Sequence, residues 1–150
     1  MATATGAGLQ AFHYVQNAGN PSAYDRALAE LRTGRKRSHW IWFVLPQLAG
    51  LGRSAMAQRY GIAYLAEARD YLADPLLRQR LGVVITVINE QLSQPGQNLE
   101  QLMGSGLDAA KTISCLTLFE AAGLASATTL LNQLGRRCAW TQAQLNAQEG

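Results

Sequence analysis

The chain has 150 residues, 48% hydrophobic and only 15% charged, with a formal net charge of +3 at pH 7. This composition excludes a disordered chain and is rich enough in apolar residues to bury a core in one domain. The small positive surplus argues against an extended nucleic-acid face, and the two cysteines, Cys115 and Cys138, exclude a disulfide framework.

Residues 1–8, mostly Ala, Thr and Gly, are expected to form a disordered tail, followed by a single helical domain over 9–145 and a frayed end over 146–150. The tail lacks the charged and apolar regions of a signal peptide, and no apolar run reaches membrane-spanning length. A cytoplasmic protein with reduced cysteines and no membrane partner is expected. Leu9 to Asn17 predicts a short helix with Phe12 and Val15 inward. Asn20-Pro21 reads as a cap followed by a first-turn proline. Tyr24, Ala27, Leu28 and Leu31 then mark one buried face, and Gly34 stops the helix. Trp40, Phe43 and Val44, spaced i, i+3, i+4, predict a short helix entering the core. Leu48 to Gly52 reads as a turn, and Ser54 caps a helix from Ala55 to Leu72 that Gly61 can interrupt.

Asp74-Pro75 repeats the cap-then-proline start. Val83, Val84, Ile85, Val87 and Ile88 favour a strand by propensity. Leu77, Leu81, Val84, Ile85, Ile88 and Leu92 nevertheless sit at helical spacing without strand-type alternation, so a helix is predicted over 75–92. Ser93 to Gln97 is a loop, and Leu99, Leu102 and Met103 a short helix. Ser105 with Asp108 resembles a capping box opening a helix over 106–122. That helix is apolar nearly all round, which predicts a central, buried position. Leu124, Thr128, Leu131 and Leu134 form the next helix between Gly123 and Gly135, and Trp140 and Leu145 anchor a last turn. The fold class is therefore all-α, with about seven to eight helices around the 106–122 helix.

Chemistry concentrates in Gly34 to Gln47. Arg35, Lys36 and Arg37 offer adjacent cations to an oxyanion, and Trp40 and Trp42 offer stacking faces. His39 is the candidate acid or base, and Gln47 a two-way amide. On the 106–122 helix, Asp108, Lys111, Ser114, Cys115 and Leu118 share one side. Lys111 and Ser114 are expected to face the Arg35–His39 segment and complete one polar pocket, although Asp108 and Lys111 can equally form a local pair. No spacing of metal ligands and no phosphate-loop or dinucleotide motif occurs, so neither metal nor cofactor is expected. These residues favour binding of an anionic or nucleotide-like small molecule. A hydrolase for an ADP-ribose-like substrate remains open, with Asp108, Glu67 and Glu120 as its plausible carboxylates. A non-catalytic interaction module or homodimer joined through an exposed aromatic segment also remains open, with nucleic-acid binding ranked last.

The same stretch, Gly34 to Gln47, continued by Leu48-Ala49-Gly50-Leu51-Gly52, resembles the signature of the domain of unknown function 1810 family. Ser54 to Tyr60 and Glu67 to Leu72 resemble its next helix, and Asp108, Lys111, Ser114, Thr117, Leu118 and Phe119 resemble a later pattern. The resemblance covers about residues 10 to 145. Ile41 stands where the family more often has Met, Asp74-Pro75 where His-Pro is common, and Phe12 to Val15 fits loosely. The resemblance implies a helical domain and no assigned activity, so no catalytic residue is carried over from it.

Overall fold

The computed structural model describes residues 5–149. Among them the chain forms ten helices: α1 (Thr5–Asn17), α2 (Ala23–Arg32), α3 (Ile41–Val44), α4 (Ala55–Tyr60), α5 (Leu65–Ala73), α6 (Pro75–Leu92), α7 (Leu99–Met103), α8 (Gly106–Ala121), α9 (Ala125–Leu134) and α10 (Ala139–Glu149). The all-helical expectation holds. The expected tail over 1–8 is already helical from Thr5, residues 1–4 lying outside the described residues. At the other end, α10 continues through Glu149 instead of fraying after Leu145.

Short side chains set most helix starts. Asp74 Oδ1 accepts the Leu77 N–H at 3.0 Å, with Pro75 in the first turn, so α6 occupies the predicted span. Asn98 and Ser105 cap α7 and α8 in the same way, at 2.8 and 3.0 Å. At α2 the cap is Ser22, not Asn20: its Oγ accepts the Asp25 N–H at 3.1 Å, and the Asn20–Pro21 bond, which is cis, precedes it.

The expected 55–72 helix divides at Gly61. There the chain turns extended and runs beside residues 47–49, with Ala49 N–H donating to Ile62 O at 2.7 Å and Ile62 N–H to Gln47 O at 2.9 Å. A Cβ at Gly61 would lie 2.8 Å from both Ala49 Cα and Ala57 O, so only glycine allows this approach.

Helix α8 lies at the centre and packs on α3, α5, α7, α9 and α10. Its buried hydroxyls bond backward: Thr112 to Asp108 O, Ser114 to Ala110 O and Thr117 to Ile113 O. This lets a hydroxyl-bearing helix run through an apolar interior. Helix α6 packs on α2, α5, α7 and α9. A chain of rings, Phe43–Tyr60–Phe12–Tyr71–Phe119, joins α3, α4, α1, α5 and α8 at centroid distances of 5.2 to 5.8 Å. Buried Gln16 secures the same corner, donating to Phe43 O at 2.8 Å and to Tyr71 Oη at 3.2 Å while accepting from Arg80 at 3.1 Å. No helix among the described residues is long and apolar enough to cross a membrane.

Candidate functional site

The basic-aromatic stretch folds around an anion of its own. Helix α2 closes with a Schellman motif: Arg35 N–H bonds Glu30 O at 3.1 Å, and Gly34 N–H bonds Leu31 O at 3.0 Å, with Gly34 at φ 93°. That turn brings residues 36–40 back over the Glu30 side chain. Glu30 Oε1 accepts the backbone N–H groups of Arg37 at 2.8 Å and Ser38 at 2.9 Å, and the Trp40 indole N–H at 2.9 Å. Its Oε2 accepts the Ser38 hydroxyl. Burial alone would raise the Glu30 pKa, but these donors outweigh it and hold the carboxyl at about 2.

Lys36 is only 8% exposed. Its ammonium donates to Ser38 O at 2.7 Å, pairs with Asp108 at 2.8 Å and lies 5.1 Å from the Trp40 ring centre. Arg35, Arg37 and His39 point to solvent, with no ion-pair or hydrogen-bond partner for their side chains among the described residues. Trp40, Trp42 and Phe43 are buried, so the exposed aromatic segment that an interaction module would use is packed in the core. Gln47 is wholly buried, donating to Leu45 O at 3.2 Å, and its Oε1 lacks a partner.

Trp42, Lys111 and Ser114 do come together, and Lys111 meets the Arg35–His39 segment only through Asp108, which it shares with Lys36. The three line a cleft of about 490 Å³ between the 51–54 turn, the first turns of α8 and the 136–138 link. Arg35, Lys36, Arg37, His39, Trp40 and Gln47 do not line it. Lys111 Nζ stands 5.8 Å from the Trp42 ring centre and shares Asp108 with Lys36, at 3.4 Å. Gly52 makes room for the indole, since a Cβ there would lie 2.9 Å from Trp42 Cζ2.

Three arginines outside the Gly34–Gln47 stretch also line this space; Arg53 belongs to the same basic span as Arg32 to Arg37 in the sequence, and Arg136 and Arg137 do not. Arg136 pairs with Glu100 at 2.8 Å and Arg137 with Glu120 at 2.7 Å, while Arg53 has no partner among the described residues. The available signal was Arg136-Arg137 after the Gly135 stop, a second basic run at a helix end. A larger cleft of about 550 Å³ between α6, α7 and α9 is lined by amides and leucines in equal number, and its Arg136 and Glu100 cancel.

Cys138 lies on the cleft wall at the entrance to α10. Its Sγ accepts from Thr141 N–H at 3.5 Å and Thr141 Oγ1 at 3.2 Å, as a capping oxygen would. Burial raises its thiol pKa, but hydrogen bonds from Ser114 and Thr141 more than offset this and leave it below 9.0. Burial instead pushes the Cys115 thiol well up, in the α8 interior. Iodoacetamide is therefore expected to modify native Cys138 at least about a hundredfold faster than Cys115, read by peptide mass spectrometry. Equal rates would contradict this placement of the two thiols.

The sequence profile described as "Protein of unknown function (DUF1810)" matches residues 7–145. The crystal structure of the conserved hypothetical protein Rv1873 from Mycobacterium tuberculosis is similar over 92% of this chain and 96% of its own, with 40% sequence identity and a TM-score of 0.81. No curated protein matches the chain. The protein belongs to the DUF1810 family of proteins of unknown function.

Proposed function

We propose that the protein binds an anionic small molecule in the cleft between the 51–54 turn, α8 and the 136–138 link. One observation carries the reading: Arg53 faces this space with no acidic partner among the described residues, beside a Lys111 that must share Asp108. A positive surplus next to apolar wall is an arrangement that an anion with an apolar part can satisfy. The site differs from the sequence expectation in its cations. Glu30 takes the backbone and indole donors of the 36–40 loop and Asp108 takes Lys36, while the Arg35 and Arg37 side chains lie out in solvent and line no cleft with them among the described residues.

Hydrolysis of an ADP-ribose-like substrate has weaker support. No carboxylate among the described residues lines the cleft. Asp108 is held by two lysines, Glu120 by Arg137, and Glu67 by the Ala63 N–H at 2.7 Å. We place the protein in the cytoplasm, where a half-buried free thiol such as Cys138 persists reduced.

A thermal-shift screen of carboxylates, phosphate and nucleotides tests the binding. A ligand at tenfold over its Kd adds about 1.4 kcal/mol, a rise of about 3–5 °C for a chain of this size. Arg53→Ala and Lys111→Ala are expected to abolish the rise, and Arg35→Ala to leave it intact. A panel in which no anion stabilises the parent protein removes the reading.

A further inference from the structure

We infer that the ligand class is a flat monocarboxylate, an aromatic or similarly planar acid, rather than a diphosphate. The inference rests on the anion-binding reading and narrows it. Charge sets the first limit. Of the cations around the cleft, Arg136 and Arg137 are each matched by a glutamate, and Lys111 is partly neutralised by Asp108. Of these cleft cations, Arg53 alone has no side-chain partner among the described residues. One guanidinium fork matches one carboxylate in a two-point contact, and the apolar share of the lining suits a ligand whose charge is confined to one end.

Shape and surface set the second limit. The apolar part of the lining is made by Trp42, Leu51, Leu107, Ala110 and Ile113, interleaved with the cations. Leu107 is 68% exposed at the first turn of α8, one of the two large hydrophobics left in water among the described residues. A ligand lying along α8 would cover Leu107 with its apolar body while its carboxylate met Arg53. The volume of about 490 Å³ suits a body of one or two fused rings. Cys138 also lines the cleft, so its alkylation reports occupancy by a ligand that shields its sulfur.

The experiment measures alkylation of Cys138 by iodoacetamide in the full chain, with melting temperature as a second readout. The probes are naphthoate, its uncharged amide, acetate and ADP-ribose. Naphthoate is expected to slow Cys138 alkylation at least about fivefold at saturation, with naphthamide and acetate needing at least about tenfold higher concentration. Arg53→Ala should erase the difference between naphthoate and naphthamide. Leu107→Ser, a surface change, should weaken naphthoate about threefold to tenfold while leaving acetate unchanged. ADP-ribose binding more tightly than naphthoate overturns this inference and leaves the anion-binding reading standing. Equal binding of naphthoate and naphthamide overturns the inference by removing its charge requirement. No protection and no thermal shift with any probe overturns the anion-binding reading itself.

Discussion

Glu30→Ala is expected to destabilise the protein by about 3 kcal/mol and to loosen residues 33–40 as a unit. The carboxylate is 9% exposed and collects three N–H donors and one hydroxyl from that loop. Hydrogen bonds to a charged acceptor contribute about 1.5–3 kcal/mol each, but water can reach part of the opened loop, so the loss falls below their sum. The pH dependence gives a sharper reading. The folded carboxyl titrates at about 2 against an ordinary value of 4.5. Its contribution is therefore complete above about pH 4.5 and fades as pH falls through the folded value, on the order of 3 kcal/mol in all. Urea midpoints at pH 7, 5 and 3 for the parent and Glu30→Gln test this. The two curves should converge in acid, whereas parallel curves would mean that the loop does not depend on the charge.

The same residue shows where sequence reading ends. Local signals place most helices: caps at Ser54, Asp74 and Ser105, stops at Gly34, Gly123 and Gly135, and the leucine spacing of α6 that outweighs its β-branched content. These act over three or four residues, which is the range a periodic pattern covers. Glu30 reads in the sequence as one more charge on an amphipathic helix. Only the α2 closure, which returns Arg37, Ser38 and Trp40 to it, turns it into the loop's internal anion. The loop thus looked like a phosphate site although an anion seven to ten residues upstream takes its backbone and indole donors, and Asp108 takes Lys36. Lys111, Ser114 and Trp42 were legible as candidates because two separate motifs carried them. Arg53, Arg136 and Cys138 join them only through the packing of α8 against the 51–54 turn and the 136–138 link. Cap chemistry also misplaced the start of α2, whose cap is Ser22, two residues later than the Asn-Pro pair suggests.

Asp108→Asn is expected to move stability and anion binding in opposite directions. Asp108 answers Lys36, whose side chain is 6% exposed, and leaves the remainder of its charge for Lys111. Burial raises the Asp108 pKa, but the hydrogen bond and charge of Lys36, aided by Lys111, outweigh this and hold it below 3.8. Removing the charge leaves the Lys36 ammonium with only Ser38 O and the face of Trp40. Deleting one partner of a buried pair costs about 3–5 kcal/mol, and the lower end applies here because Asp108 is partly open to water. The cap of α8 is unaffected, since Ser105 binds the backbone N–H of residue 108. Lys111, released from its partner, then gives its full charge to the cleft. A unit charge gained about 6 Å from a bound carboxylate in a solvent-screened site is worth about 1 kcal/mol, about a fivefold tighter Kd. Denaturation midpoints and probe titration on one protein sample separate the two effects. Lys36→Met with Asp108→Asn should recover much of the stability while retaining the tighter binding, because it removes the stranded cation and not Lys111. A variant that loses stability with no gain in anion affinity would show that Lys111 does not present its charge to the cleft.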